Sequence, residues 1–122
     1  MKTVAVIGAS ANRAKFGNKA VRAYRKAGYQ VFPITPRHTE IEGLRAYPSV
    51  LDVTEPIDFA TMYVPPHIGE QLIEQIAQKG IRELWVNPGA ESDALIAKAR
   101  SLGLQPIEAC SIIAIGQNPY AL

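Results

Sequence analysis

Two glycines, Gly8 and Gly17, frame the first stretch able to do chemistry, Gly8-Ala9-Ser10-Ala11-Asn12-Arg13-Ala14-Lys15-Phe16-Gly17. Four apolar residues, Val4 to Ile7, run into it. Small side chains let the backbone approach a ligand closely, and the helix expected next offers unpaired N–H groups to an anion. Arg13 and Lys15 add positive charge where a pyrophosphate would lie. The same residues also suit a tight turn with two solvated cations. Their spacing departs from the dinucleotide fingerprint G-x-G-x-x-G, because Ser10 stands two positions after Gly8.

A second stretch, Ile34-Thr35-Pro36-Arg37-His38, bears on which nucleotide is meant. In nicotinamide-dinucleotide folds an acidic residue about 20 positions past the glycine motif holds the ribose hydroxyls. Here that place falls on Arg37, and the first acid beyond it is Glu40. An arginine there favours a phosphate on the ribose. This argues against NAD and leaves open NADP, with its 2′-phosphate, and coenzyme A, with its 3′-phosphate. An exposed turn is the plainer account of Arg37 and His38.

Two further loops complete the set. Val64-Pro65-Pro66-His67 makes a stiff turn poor in donors, better suited to an adenine or a pantetheine chain than to a phosphate. Asn87-Pro88-Gly89-Ala90 offers an amide and a close backbone approach, and Trp85 before it reads as core. His67 has no neighbouring acid or nucleophile, so it reads as a surface or capping residue. No Ser-His-Asp or Cys-His set and no paired carboxylates converge on these loops, and Asp52, Asp58 and Asp93 fall in turns or near strand starts. No catalytic residue is expected. Two histidines and one cysteine lack metal-ligand spacing.

Alternating strand and helix signals position the four loops. Strands are expected at 2–8, 29–35, 57–64, 82–87 and 104–109, with helices at 17–27, after Pro65-Pro66 up to Gly80, and at 92–102. Between 41 and 56 a short edge strand near Leu44 to Ala46 precedes a helical turn begun by Ser49, and Pro48 argues against a central strand. Such alternation defines an α/β fold: a single Rossmann-like domain over 1–122, with a mostly parallel sheet of about five strands, the first one central, and helices on both faces. Ligands of these sheets sit beyond the carboxyl ends of the strands. A net charge of +2 is too slight to argue for nucleic acid or an anionic membrane, no apolar run is long enough for a membrane helix, and a lone cysteine points to a reducing cytoplasm.

Taken in order, VAVIGAS with Lys15 and Gly17, GYQVFPITP, IEGLRAYPSVLDV, YVPP, LWVNPGA and Cys110 resemble the CoA-binding family of small Rossmann-like proteins. They also resemble the CoA-binding domain of the succinyl-CoA synthetase alpha subunit. The resemblance implies coenzyme A lying across the strand ends, with Gly8, Ser10, Ala11, Asn12, Arg13, Lys15 and Gly17 at its phosphates. It puts Pro36 and Arg37 at the adenosine and 3′-phosphate, and Val64, Pro65, Asn87 and Pro88 along the remaining path. Many relatives carry glutamine where this chain has Asn87. Cys110 reads as a structural cysteine or as a thiol that exchanges with that of the ligand. The synthetases bring a second domain with a phosphorylated histidine, for which a chain ending at Leu122 has no room. The expectation is a stand-alone module that binds coenzyme A or an acyl-CoA. The alternatives are an NADP-binding redox sensor or reductase, and a subunit of an acyl-CoA synthetase-like complex. A homodimer through Ile112, Ile113 and Ile115 is a further possibility, though these residues could equally cover the sheet edge.

Overall fold

A computed structural model describes residues 2–122. Its strands are β1 (Thr3–Ile7), β2 (Gln30–Ile34), β3 (Glu40–Ile41), β4 (Leu44–Arg45), β5 (Phe59–Met62), β6 (Glu83–Val86) and β7 (Gln105–Glu108). Its helices are α1 (Phe16–Lys26), α2 (Pro66–Gln78), α3 (Asp93–Ser101) and the single turn α4 (Ser111–Ala114). Five strands form one parallel sheet in the order β2-β1-β5-β6-β7. The first strand has neighbours on both sides, and the middle strand is β5. The chain steps outward from β1 to β2, then returns past β1 and builds the rest of the sheet in one direction.

Both faces of the sheet are covered, which is why β1 reads as an unbroken apolar run. Ala5, Ile7, Phe32, Ala60, Met62 and Leu84 pack with Ile73 and Ile76 of α2 and Leu95 of α3. Val4, Val6, Val31 and Phe59 face the other way, against Ala20, Val21 and Tyr24 of α1 and Ile112 of α4. Period-two alternation along each strand thus feeds two separate core layers.

The region between β2 and β5 departs in part from expectation. The strand at Leu44–Arg45 pairs with Glu40–Ile41 in a small hairpin of its own instead of joining the main sheet. Glu42 and Gly43 both take positive φ, 51° and 78°, the backbone a two-residue hairpin turn needs. Past the hairpin, Tyr47 runs beside the outer edge of β2, donating to Pro33 O and accepting from Thr35 N, both at 2.9 Å. The helical turn begun by Ser49 forms at Val50–Asp52. Ser49 Oγ accepts from Leu51 N and the Asp52 carboxylate accepts from Ser49 N, each at 3.1 Å.

Each of the two outermost strands carries a proline, Pro33 in β2 and Pro106 in β7. Gln30 N donates inward to Lys2 O, and Gln105 N donates inward to Arg82 O. Strand periodicity then points the backbone nitrogens of Pro33 and Pro106 away from the sheet.

The closest backbone approach lies where α1 begins. A Cβ on Gly17 would stand 2.2 Å from Gly8 O. Gly17→Ala must therefore push α1 off the end of β1, at a cost of about 1–3 kcal/mol or more. Urea denaturation should show a clearly lower midpoint, and an unchanged midpoint would refute the close approach.

Candidate functional site

The loops that leave β1, β2, β5, β6 and β7 enclose a cleft of about 1060 Å³ at the carboxyl ends of the strands. From the first loop Gly8, Ser10, Lys15 and Gly17 line it, and from the second Pro36 and Arg37. Val64 and Pro65 contribute from the third, Asn87 and Pro88 from the fourth. Ala11, Asn12 and Arg13 are not part of the lining. Tyr63, Ile113, Pro119 and Tyr120 join it without having been singled out as ligand contacts, and Cys110, read as a structural cysteine or as a thiol exchanging with that of the ligand, lines it as well. Tyr63 directly precedes the Val64-Pro65 turn, so its neighbourhood was a usable signal. The C-terminal residues gave none, because α4 and the short turn at Pro119–Ala121 are too brief to show periodicity.

The charge pattern of the cleft is one-sided. Lys15 and Arg37 line it, and no aspartate, glutamate or histidine does. Among the described residues the ion pairs are Arg13–Glu42 and Lys98–Glu74, so neither lining cation is neutralised. Arg37 is exposed, and its own backbone N–H is spent on Thr35 Oγ1. A polyanion would meet two free positive charges here and no repelling carboxylate.

Arg13 has a different engagement. Its guanidinium pairs with the Glu42 carboxylate at the hairpin turn, and its carbonyl accepts from Arg22 Nη2 at 2.8 Å. Asn18, fully buried on α1, donates to Ser10 O at 2.8 Å and to Glu42 Oε2 at 3.0 Å, and accepts from Arg22 Nε at 2.7 Å. Arg25 Nη1 donates to Glu42 O at 2.6 Å. Glu42 therefore ties the hairpin to α1 and, through Asn18, to the loop bearing Ser10. The donation from Asn18, joined by the Arg13 bond and the charges of Arg13 and Arg22, outweighs desolvation and holds the Glu42 carboxyl below the ordinary glutamate range. Within the loop, Ser10 Oγ accepts from Asn12 N at 3.1 Å and Asn12 Oδ1 from Ala14 N at 3.0 Å.

Asn87 is turned inward. Its Nδ2 donates to Thr61 Oγ1 at 2.7 Å and Met62 O at 3.0 Å, and its Oδ1 accepts from Ser111 N at 2.9 Å. Both amide protons are thus used by the protein, and the side chain pins the start of α4 across the ends of β5 and β6. Ser111 Oγ completes the cluster with Thr61 Oγ1 at 2.7 Å and Tyr63 OH at 3.1 Å. Burial raises the Tyr63 phenol, against the opposing bond from Ser111, so Tyr63 is a neutral wall residue at physiological pH.

A smaller apolar chamber of about 140 Å³ adjoins the cleft through Gly8, Pro36, Val64 and Ile68. Ile7, Ile34, Val50, Leu72 and Ile76 supply its walls, and Gln75 is its one polar side chain able to donate. Gln75 Oε1 accepts from Ser49 Oγ at 2.8 Å, which leaves the amide nitrogen uncommitted. His67 lines neither space, and Trp85 bonds Glu83 Oε2 at 2.9 Å away from both.

The chain matches the model of the CoA binding domain family over residues 2–116 and belongs to that family. It is similar to the ADP-forming acetate–CoA ligase of Methanocaldococcus jannaschii, with 36% identity over 81 residues, 66% of this chain and 12% of the ligase. The alpha subunit of ADP-forming acetate–CoA ligase I from Pyrococcus furiosus is 34% identical over 87 residues, 66% of this chain and 19% of that subunit. The chain thus spans less than a fifth of the length of these two relatives. Among solved structures, a conserved hypothetical protein from Pyrococcus furiosus superposes with a TM-score of 0.86 at 32% identity, covering 93% of this chain and 99% of the other.

The Glu42 network has a pH signature. A carboxyl held low in the folded protein stabilises it above the ordinary glutamate range and loses that contribution as pH falls through the lowered value. Glu42→Gln should cost about 1 kcal/mol at pH 7, given that Arg13 is largely exposed and screened. Denaturant midpoints measured from pH 7 downward should show the gap between the two proteins closing with acidification. A gap that persists into strong acid would contradict this account.

Proposed function

We propose that the cleft binds coenzyme A, the ligand class of the family, with its phosphates at the loop from Gly8 to Gly17 and at Arg37. One observation carries this reading: two cations without carboxylate partners line one end of a long cleft at the strand ends. Lys15 and the N–H groups at the start of α1 would meet the pyrophosphate, and Arg37 the 3′-phosphate. Pro36, Val64 and the 140 Å³ chamber offer apolar surface on the scale of a purine base, with the uncommitted Gln75 amide to donate to it. The pantetheine arm would then run past Pro65 and Pro88. Asn87 would shape this path through the backbone it holds, because its side chain is already engaged. Ala11, Asn12 and Arg13 would act by fixing the loop from outside the cleft.

A second reading is that a partner supplies chemistry to the bound thioester. It is favoured by the similarity to a protein named as a ligase subunit, of which this chain spans 19%. The absence of any histidine or carboxylate from the cleft lining agrees with it. Under that reading the purified chain binds coenzyme A but turns over no acetyl-CoA with ADP and phosphate.

Calorimetric titration with coenzyme A, dephospho-CoA and NADP tests the assignment. Coenzyme A should bind, and either loss of its 3′-phosphate or Arg37→Ala should weaken binding roughly ten-fold, the value of one charge-assisted phosphate contact. Binding of NADP without binding of coenzyme A would reverse the conclusion.

A further inference from the structure

The cleft has two chemically different ends. Its cations, Lys15 and Arg37, follow β1 and β2. Beyond β6 and β7 the lining is Pro88, Gly89, Ala90, Cys110 and Ile113, with no charged side chain among them. Phe16 and Tyr120 continue this apolar wall on the α1 side. Ile113 is 60% exposed, Phe16 42% and Tyr120 84%, so three large apolar side chains face solvent around one opening. A concentration of this kind marks a surface that something else covers.

Length decides what reaches it. Neighbouring strands lie ~4.8 Å apart, so three spacings put the end of β7 about 14 Å from the end of β1. An extended pantetheine arm, a dozen bonds advancing roughly 1.25 Å each, carries its sulfur about 15 Å from the pyrophosphate. With the phosphates held at Lys15 and the arm laid across the sheet toward β7, the sulfur would reach the Gly89-Ala90 turn and Ile113. Whatever is joined to that sulfur enters the apolar opening.

We propose that this opening receives the acyl group of an acyl-CoA, and that the class it takes is uncharged and apolar. The proposal rests on the reading of the cleft as a coenzyme A site. A dicarboxylic acyl group would bring its terminal carboxylate beside Pro88, Gly89, Ala90 and Ile113, a stretch of the lining with no cation of its own. The Lys19 ammonium lies over the rings of Phe16 and Tyr120, 5.1 and 5.9 Å from their centroids, and is not part of the lining.

The test is calorimetric titration of the full chain with coenzyme A and its acetyl, butyryl, hexanoyl and succinyl thioesters. It is run on the unaltered protein and on Ile113→Asp. Full burial of one methylene is worth a factor of about four in affinity, and a wall open on one side should give about two per carbon. Hexanoyl-CoA should therefore bind roughly fifteen-fold tighter than acetyl-CoA, and butyryl-CoA tighter than succinyl-CoA. Ile113→Asp should bring the hexanoyl-to-acetyl ratio close to one. Ile113 is mostly exposed, and circular dichroism confirms that the variant is folded before its ratio is read. Equal affinities along the series, succinyl-CoA binding as well as butyryl-CoA, or a ratio that Ile113→Asp leaves in place would each overturn the proposal. If neither coenzyme A nor any thioester binds, the coenzyme A reading of the cleft itself fails.

Discussion

The carboxyl end of the sheet is organised around the meeting of α1 with the end of β1. Gly8 O sits where a side chain on Gly17 would have to go, and on its other side Gly8 leaves no room either. A Cβ at Gly8 would fall 2.7 Å from Val64 Cγ1 and 3.2 Å from the Tyr63 carbonyl carbon, on a backbone with φ of 86°. The first loop, the third loop and the start of a helix are thus pressed together at a single residue. The floor of the cleft is backbone at that point, which leaves space for close approach at the strand ends. Side chains enter only at the walls.

Those walls divide the labour between buried and exposed polar groups. Asn18 and Asn87 are buried and spend their amide protons on the protein, the one bracing the Ser10 loop and the other seating α4. Lys15 and Arg37 are exposed and form no ion pair among the described residues. Satisfied buried groups give rigidity, and free surface charges give attraction without the penalty of burying an unpaired ion. The carboxyl end of the sheet combines asparagines committed to the fold with cations that are not.

Much of this was legible in the residues. Apolar runs ending in glycine marked β1 and α1, and Ser49 marked the turn it begins. The parallel sheet and the covering of both its faces followed from alternation alone. Pairings between distant residues were not legible. Nothing local to Arg13 announces that Glu42, on a hairpin turn beyond β2, will take its charge. The orientation of Asn87 was equally hidden, because it depends on Thr61 and Ser111, which come together only when β5, β6 and α4 do. The hairpin escaped notice because its strands are two residues each, and a Glu-Gly turn is a weaker signal than Asn-Gly. Ile112 and Ile113 looked alike in sequence, yet one closes the core and the other stands in solvent.

The prolines of the two outer strands carry a further meaning. A sheet grows when an incoming strand finds a continuous ladder of donors and acceptors along an edge. At β2 the ladder lacks a donor at Pro33, and Tyr47 already occupies the carbonyl beside it. At β7 the gap falls at Pro106, the second of its four residues. Each margin of the sheet thus lacks a donor that an added strand would need, which disfavours growth of the sheet by a second copy or another protein.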